Sequence, residues 1–443
     1  MSLCRSSHRL LHHLAKPRVR IPPCQARPWI QKLNRRTLAS ISQSNVLPGI
    51  QAAEVDLKGP RILDDRLQVF SDVSDNYVDV PAIWLRDHCR CSSCFHQITK
   101  QRVIETFDDI PPDIAIGPAG LVDADNAYEV TWSDGHKSTY SQQWLAKSAQ
   151  KKTPRSAERQ ALTDVTLWSG ADIKDSPPTV SYQEVMASDA GLRSWLQNIR
   201  RFGFSYVSDC PVTPEATEAL LRRIAFVRET QYGGFYDFTA DLAKGDTAYT
   251  QLGIGAHTDN TYFSDPAGLQ MFHLLSHTDG QGGASQLVDG FGAAAELRHQ
   301  YPEAYEMLST VPVASHASGG DISLQPWATL PVLVHDPAAG EGLTQVRWNT
   351  TDRAAIDAPM ERMQAWYDAA RIWAGILRKR EYWEQLKPGM PLVFDNWRVL
   401  HGRSAFTGNR RMCGGYVNRD DYISRYKIVN WGKERCLESV SRG

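Results

Sequence analysis

Two stretches of sequence decide the fold: Gly255-Ala-His257-Thr-Asp259 and, far downstream, Phe394-Asp-Asn-Trp-Arg-Val-Leu-His401-Gly. Side chains alternate along a β-strand, so His257 and Asp259 fall on the same side of an extended segment. Two neutral imidazoles and one carboxylate can hold a non-haem Fe(II) ion on one face and leave three positions open. In a closed β-barrel, a distant strand can supply the third ligand. The predicted iron ligands are His257, Asp259 and His401.

A His-x-Asp pair alone is weak evidence, because it occurs by chance and is more often a surface or core pair than a metal site. Two later features strengthen the metal interpretation. The first is the distant His401, and the second is Arg410, a basic residue that could hold a second carboxylate.

Two adjacent arginines, Arg410 and Arg411, follow His401 by nine and ten residues. A 2-oxoacid can chelate two open iron positions while O₂ takes the third, and its far carboxylate then needs a cation. The arginine fork bonds a carboxylate through two parallel hydrogen bonds. Adjacent residues of a strand point to opposite faces, so only one arginine should reach the pocket, and we predict Arg410. The alternative is a solvated surface charge. Ser285, after Gly-Gly-Ala, is a candidate to add a hydroxyl.

Three of the eight cysteines crowd into Trp84-Leu-Arg-Asp-His-Cys89-Arg-Cys91-Ser-Ser-Cys94. This spacing does not suit a disulfide framework and favours a reducing compartment and a metal site. A closed tetrahedral zinc site needs a fourth ligand. The predicted zinc ligands are Cys89, Cys91, Cys94 and His136. His88 and His96 are alternatives for the fourth ligand, and free buried thiols are the alternative to a structural zinc ion.

The chain has 443 residues, of which 42% are apolar and 22% are charged, as in a soluble globular protein of two or three domains. No stretch approaches the roughly 18 to 20 continuous apolar residues of a membrane span. No Asp or Glu precedes Glu54, whereas nine Lys and Arg residues do. This composition is typical of a mitochondrial transit peptide; the alternative is a disordered basic tail, or one that contacts nucleic acid. Removing these nine leaves 40 basic against 50 acidic residues, which argues against a nucleic-acid partner.

We predict three parts and a linker. Residues 1–45 form the transit or disordered segment, residues 50–146 a β-rich zinc module, and residues 165–435 the catalytic barrel. The polar stretch 147–159 is predicted to be the linker.

In the barrel, helices are predicted over 181–201, 213–227, 292–309 and 358–378. Strands are predicted over 204–207, 269–275, 285–288, 332–334, 344–348, 391–394 and 411–417, and in the module over 67–70, 80–84 and 128–132. Many short strands with a few long helices predict a mainly β fold with flanking helices, in which the barrel is a double-stranded β-helix, or jelly-roll.

From Trp84 almost to the C-terminus, the chain resembles the carnitine-biosynthesis dioxygenases, which are Fe(II)/2-oxoglutarate hydroxylases. The resemblance lies in His257-Thr-Asp-Asn-Thr-Tyr-Phe, Leu287-Val-Asp-Gly-Phe291 and Phe394-Asp-Asn-Trp-Arg-Val-Leu-His401-Gly-Arg. The ending Phe406-Thr-Gly-Asn-Arg410-Arg-Met-Cys-Gly-Gly-Tyr416 is closer to the members that act on trimethyllysine than to those that act on γ-butyrobetaine. The resemblance implies the iron ligands, the 2-oxoglutarate arginine and the zinc set already named.

The resemblance also implies an aromatic cage, because a trimethylammonium group donates no hydrogen bond and is held against aromatic faces. The implied cage residues are Tyr232, Tyr236, Tyr249 and Tyr416. The second is Trp in relatives, and a Tyr face is weaker, so a reshaped cage or some loss of affinity is expected. The alternative for each tyrosine is plain packing in the core.

The implied activity is C3 hydroxylation of trimethyllysine in the mitochondrial matrix, with 2-oxoglutarate and O₂ as cosubstrates, ascorbate as reductant and structural zinc. Three alternatives stay open: hydroxylation of γ-butyrobetaine, a catalytically silent zinc-binding interaction protein, and an oxygenase for sulfonates or other small anions. An acidic residue that pairs with the α-ammonium of trimethyllysine would favour trimethyllysine over γ-butyrobetaine as the substrate. Asp237, Asp241 and Asp265 are available for this role. The sequence does not fix the oligomeric state, and a homodimer is one of the states it allows.

Overall fold

The computed structural model describes residues 59–149 (apart from 64, 72 and 73), 165–239, 250–319, 322–326, 328–336, 342–356 and 358–441. The predicted transit segment, residues 150–159 of the predicted linker, Tyr249 and Asp241 lie outside the described residues. None of the helices in these ranges is both long and apolar enough to cross a membrane.

Before residue 150, two three-stranded antiparallel sheets and two of three short helices, Ala82–Asp87 and Gln142–Ser148, share one core. The strands are β1 (Arg61–Leu63), β2 (Arg66–Ser71), β3 (Asn76–Pro81), β4 (Ile116–Ala124), β5 (Ala127–Trp132) and β6 (Lys137–Ser141), and the helices span Ala82–Asp87, Thr106–Asp109 and Gln142–Ser148. The strand predicted over 80–84 is wrong beyond Pro81. Ala82 and Leu85 are three residues apart and both buried, a spacing that puts them on one face of a helix.

After residue 164, the chain forms a β-barrel with helices packed outside it. The strands of this part of the chain are β7 (Thr179–Ser181), β8 (Phe204–Ser208), β9 (Val227–Arg228), β10 (Tyr236–Thr239), β11 (Ile254–His257), β12 (Leu269–Thr278), β13 (Ser285–Asp289), β14 (Pro312–Ser315), β15 (Ala317–Gly319), β16 (Ile322–Leu324), β17 (Leu330–Pro331), β18 (Leu333–Asp336), β19 (Gly342–Val346), β20 (Arg353–Ile356), β21 (Tyr382–Glu384), β22 (Leu392–Asp395), β23 (Val399–Arg403) and β24 (Asn409–Val417). Strands β14 to β20 form three small sheets of their own, β17-β14-β20, β15-β16 and β18-β19, outside the barrel sheets. The helices of this part span Gly170–Ile173, Tyr182–Ala187, Asp189–Phe202, Pro214–Ile224, Gly290–Gln300, Pro302–Thr310, Met360–Lys379, Arg419–Trp431 and Lys433–Ser441.

Two sheets make up the barrel. The larger has the order β10-β24-β12-β22-β8-β7, with β9 also paired to β24, and the smaller has the order β11-β23-β13-β21. Their inward side chains meet in one core, where Phe394 and Met412 of the larger sheet pack with Leu287 and Val399 of the smaller. This arrangement confirms the predicted jelly-roll. Because β11 and β23 are antiparallel neighbours, it also brings His257 directly opposite His401.

The predicted helices form, and two of them are interrupted. The helix predicted over 181–201 breaks at Ser188, whose side chain accepts a hydrogen bond from the Gly191 amide and begins a second helix. The helix predicted over 292–309 breaks at Tyr301, because Pro302 lacks an amide hydrogen and starts the next helix.

A buried ion pair ties β13 to the turn before β23. Arg398 donates from Nε and Nη2 to the two oxygens of Asp289, both at 2.9 Å. The same guanidinium donates to the carbonyls of Thr166 at 2.7 Å and Arg201 at 3.0 Å. Both carboxylate oxygens and all three guanidinium nitrogens of the pair therefore have partners, as a buried ion pair requires. This ion pair fixes Arg398, the residue just before β23 and three residues before His401.

Candidate active site and metal centres

The predicted iron ligands converge at the paired ends of β11 and β23. The Nε2 atom of His257 lies 3.1 Å from Oδ1 of Asp259, and Nε2 of His401 lies 3.6 Å from the same oxygen. The two rings are 4.3 Å apart between centroids. Two imidazole nitrogens and one carboxylate oxygen thus point at one small volume, which is the donor set of a non-haem iron centre.

Asp259 lies just beyond the end of β11, and buried polar contacts hold its backbone. Asn396 accepts a hydrogen bond from the Asp259 amide at 2.8 Å and donates to its carbonyl at 3.0 Å. Next to it, the Thr258 amide donates to the Trp348 carbonyl at 2.7 Å. Asn260 has a φ of 61°, a left-handed conformation that asparagine tolerates better than most residues. The turn therefore holds the Asp259 carboxylate against the two histidines.

The protonation of His401 and Asp259 suits a divalent cation. Burial, with the nearby charge of His257, lowers the pKa of His401 to about 3, so its ring is neutral. Burial raises the pKa of Asp259, but the neighbouring histidines, His401 and His257, and the hydrogen bond from Tyr416 outweigh this effect and hold it well below its usual range. Burial lowers the pKa of His257, but the hydrogen bond and charge of Asp259 outweigh burial and raise it, so a bound metal ion would take the place of that proton. The Nδ1 atom of His257 lies 2.9 Å from the Gly255 carbonyl, which orients Nε2 toward the site. Fe(II) fits these donors.

Arg410 and Arg411 point to opposite sides of β24, as adjacent strand residues must. Arg410 is 6% exposed and lines the cavity that contains the iron ligands. Its Nε has no hydrogen-bond partner among the described residues, and burial lowers its pKa to about 10, so that it stays charged near neutral pH. Arg411 instead forms a surface pair with Asp237, at 2.5 and 2.9 Å.

Ser285 begins β13 and lines the same cavity as Arg410. The turn before it contains Gly282 and Gly283, with φ of 87° and 72°. A Cβ atom on Gly283 would lie 3.3 Å from Arg410 Nε. The glycines therefore leave room for the buried guanidinium.

The cavity has a volume of about 210 Å³ and an aromatic wall. Of the predicted cage, Tyr232, Tyr236 and Tyr416 line it, and Tyr249 lies outside the described residues. Tyr236 and Tyr416 meet edge to face with centroids 5.9 Å apart. Three further aromatic side chains that the sequence interpretation did not single out also line it: Phe238, Tyr262 and Phe272.

Tyr262 and Tyr416 connect the aromatic wall to the metal site. Tyr262 lies in the same segment as His257 and Asp259, and its hydroxyl is 3.3 Å from that of Tyr232. The hydroxyl of Tyr416 donates to Oδ2 of Asp259 at 2.7 Å. Burial and the charge of Asp259 raise the pKa of Tyr416 well above its usual value, so it remains a donor.

Two of the three acids considered from sequence, Asp237 and Asp265, do not line the cavity, and Asp241 lies outside the described residues. Asp237 pairs with Arg411, and Asp265 is exposed and lies 3.6 Å from Arg228. Within the described ranges, the acidic side chains that line the cavity are Asp259 and Asp352. Asp352 sits in a turn where Asn349 accepts hydrogen bonds from the amides of residues 351 and 352 and donates to Asp352 Oδ2 at 2.8 Å. The sequence interpretation missed Asp352, and the feature that could have pointed to it is the short polar run Asn349-Thr-Thr-Asp352, which is typical of a turn.

The second cluster lies in the N-terminal part, where three sulfur atoms surround one imidazole nitrogen. Nε2 of His136 is 3.2, 3.6 and 3.5 Å from the sulfurs of Cys89, Cys91 and Cys94. Bonds of about 2.3 Å to sulfur and about 2.0 Å to nitrogen in a tetrahedral centre separate the donors by about 3.5 Å. The four residues therefore fit a zinc ion. The alternatives lie elsewhere: His88 stacks on Trp84, and His96 is bonded to Thr99.

Arg86 supports this cluster from the side. Its guanidinium donates to the Cys94 sulfur at 3.3 Å and to Asp134 at 3.1 Å. Asp134 in turn accepts from the backbone amide of His136 at 2.8 Å. A zinc ion with three thiolates carries a net negative charge, which this buried cation would balance.

Two family models match the chain. The taurine catabolism dioxygenase TauD, TfdA family model covers residues 163–416, and the gamma-butyrobetaine hydroxylase-like N-terminal model covers residues 64–146. The chain therefore belongs to the TauD/TfdA family of dioxygenases, and the enzyme class predicted from sequence is confirmed.

Within this class, the similar curated proteins carry the names expected from the sequence motifs. Trimethyllysine dioxygenase of Neurospora crassa is 45% identical over 403 residues, which cover 82% of this chain and 83% of that protein. The mitochondrial trimethyllysine dioxygenase of Homo sapiens is 38% identical, with coverage of 78% and 82%. Gamma-butyrobetaine dioxygenase of Pseudomonas sp. (strain AK-1) is 32% identical, with coverage of 78% and 89%.

Proposed function

We propose that the chain hydroxylates N6,N6,N6-trimethyl-L-lysine at C3, the first step of carnitine biosynthesis. The reaction couples this hydroxylation to oxidative decarboxylation of 2-oxoglutarate to succinate and CO₂. The observation that carries the proposal is that one cavity is lined by the His-Asp-His triad, a buried arginine and several tyrosines. The named relatives at 38–45% identity support trimethyllysine over γ-butyrobetaine.

At one end of the cavity, the chain binds metal and cosubstrate. His257, Asp259 and His401 would hold Fe(II), and Arg410 would pair with the far carboxylate of 2-oxoglutarate, with the Ser285 hydroxyl as a further donor. Bound Fe(II) and 2-oxoglutarate supply the redox chemistry with O₂, and ascorbate keeps the iron reduced. The protein contributes ligand geometry and a buried cation whose position is fixed before the cosubstrate arrives.

At the other end, the aromatic wall binds the substrate cation. Tyr232, Tyr236 and Tyr416 present aromatic faces and edges to a trimethylammonium group, which is attracted to such faces without hydrogen bonding. Tyr249 is proposed as the fourth member. Because the substrate side chain has a fixed length, holding its cation in the cage sets how far C3 lies from the metal site. Binding at the cage therefore positions one carbon of the substrate beside the metal.

The remaining assignments complete the proposal. Residues 50–146 form the module that Cys89, Cys91, Cys94 and His136 stabilise through structural zinc, residues 165–435 form the catalytic barrel, and residues 1–45 direct import. The mitochondrial relatives support this location, and the matrix is the proposed compartment. A homodimer is the proposed assembly.

Product analysis tests the activity. The purified protein is incubated with Fe(II), ascorbate and 2-oxoglutarate, together with trimethyllysine or γ-butyrobetaine in separate tubes, and products are measured by mass spectrometry. We expect a gain of one oxygen on trimethyllysine with stoichiometric succinate. The same gain only on γ-butyrobetaine would assign the sister activity.

The Asp259→Ala variant is the control for metal-dependent turnover. If the wild-type protein formed no succinate with any substrate, the silent zinc-binding interpretation would stand. If it consumed 2-oxoglutarate and oxidised neither substrate, the iron chemistry would remain and the carnitine pathway would be discarded.

A further inference from the structure

We infer that Tyr416 is a positioning residue for the metal-binding carboxylate of Asp259. This role is separate from its place in the aromatic wall, and it rests on the proposed metal site but not on the identity of the substrate. The Tyr416 hydroxyl donates to Oδ2 of Asp259 at 2.7 Å. The other oxygen, Oδ1, lies 3.1 Å from His257 Nε2 and 3.6 Å from His401 Nε2. The hydroxyl thus occupies one carboxylate oxygen and leaves the other to face the metal site.

The phenol of Tyr416 is held firmly enough to impose this orientation. The residue is 5% exposed and lies within β24, opposite Gln270 of β12. Gln270 is itself buried, and its amide donates to the Tyr416 hydroxyl at 3.4 Å. A carboxylate that ligates a metal is commonly oriented by such an outer hydrogen bond, and loss of one typically costs 10- to 100-fold in metal affinity.

The orientation matters because the reaction needs open metal positions. A carboxylate that binds through one oxygen leaves three positions of an octahedron for cosubstrate and O₂. Without the Tyr416 hydroxyl, Oδ2 of Asp259 would have no hydrogen-bond donor among the residues that the structure describes and could rotate toward the metal. Both oxygens would then compete for the metal, and one position needed by the cosubstrate would be blocked.

Tyr236 provides a matched control within the same wall. Its ring packs edge to face against Tyr416 at 5.9 Å, and its hydroxyl donates to the Met271 carbonyl at 2.9 Å rather than to Asp259. Tyr236→Phe and Tyr416→Phe both remove one hydrogen-bonded hydroxyl and keep the ring. Only the second removes a donor to the metal-binding carboxylate.

The test is Co(II) titration of the zinc-loaded full chain, followed by visible absorption, with Asp259→Ala as the blank for other sites. For Tyr416→Phe, we expect the Co(II) dissociation constant to rise about 10- to 100-fold and the absorption band to shift. For Tyr236→Phe, we expect a change of less than about twofold and an unchanged band, because that hydroxyl lies outside the ligand shell.

The outcomes separate this inference from the proposed activity. A Tyr416→Phe variant with wild-type affinity and the wild-type band would overturn the positioning role, whatever the substrate. Failure of the wild-type chain to bind Co(II) above the Asp259→Ala blank would overturn the metal site itself. If the wild-type protein and the two variants bound Co(II) as expected, but the wild-type protein did not oxidise trimethyllysine, the proposed substrate would be rejected and the role of Tyr416 would be supported. Thermal unfolding of each variant without Co(II) verifies that the hydroxyl loss has not disrupted the fold.

Discussion

Replacing Arg410 with Met should abolish tight binding of 2-oxoglutarate, whereas the same change at Arg411 should not. Arg410 is 6% exposed, and its Nε has no partner among the described residues, so its pairing capacity is available to a ligand. Removing one partner of a buried, hydrogen-bonded charge pair costs about 2–5 kcal/mol. Taking about 3–4 kcal/mol, at about 1.4 kcal/mol per tenfold, the dissociation constant should rise by roughly two to three orders of magnitude.

The assay is isothermal titration calorimetry of 2-oxoglutarate, without oxygen and with Mn(II) in place of Fe(II). Methionine keeps most of the apolar stem of arginine, which limits the packing loss. Arg411→Met is the matched control, because Arg411 is 47% exposed and pairs with Asp237 on the outer face of β24; its dissociation constant should stay within about twofold of the wild-type value, because exposed pairs contribute little. The reasoning would be refuted if Arg410→Met bound 2-oxoglutarate within threefold of wild type, or if both variants lost affinity equally.

Three further predictions concern specificity, stability and zinc. Asp352 lines the cavity, and we expect it to pair with the α-ammonium of trimethyllysine. Asp352→Asn should then raise the KM for trimethyllysine about 10- to 100-fold, because hydrogen bonds to charged groups contribute about 1.5–3 kcal/mol; steady-state kinetics should show no such rise for an analogue that lacks the α-ammonium, and an equal rise for both would reject this pairing. Arg398→Met strands the buried charge of Asp289 and should lower the free energy of unfolding by about 3–5 kcal/mol in urea titrations; a loss below about 1 kcal/mol would contradict the buried-pair argument. His136→Ala should reduce bound zinc, measured by elemental analysis, while Co(II) binding at the iron site persists; retention of a full zinc ion would exclude His136 as a ligand.

The parts of the site that lie on strands could be predicted from sequence, because strand geometry is regular. The alternation of side chains predicted that Arg410 and Arg411 diverge, and the structure places one in the cavity and the other on the surface. The same rule put His257 and Asp259 on one side. It succeeded for Asp259 although that residue lies past the end of β11, because Asn396 and the left-handed Asn260 hold the turn in place.

The features that the sequence interpretation missed depend on turns and on long-range pairing. Asp352 reaches the cavity through a turn held by Asn349, and no periodic pattern predicts the direction of a turn residue. Asp237 was available as a substrate-binding acid, but β10 pairs with β24 so that Asp237 lies beside Arg411. That pairing joins residues 174 positions apart, and a single sequence contains no local signal for it.

Strand β24 contributes to both ends of the cavity in which we propose that cosubstrate and substrate meet at one metal. Arg410, Met412 and Tyr416 lie at even spacing on the strand, and all three line the cavity. The remaining residue in this series is Gly414, where a Cβ atom would collide first with the backbone carbonyl of Met271 on β12 and would also come within 2.9 Å of the Tyr236 ring. Glycine therefore leaves room both for the neighbouring strand and for the Tyr236 ring. One inward face therefore carries the arginine proposed to bind the cosubstrate at its start, open space for a neighbouring ring in its middle, and at its end a phenol that contacts the carboxylate proposed to bind the metal. The rigidity of a hydrogen-bonded strand fixes the distances between these groups.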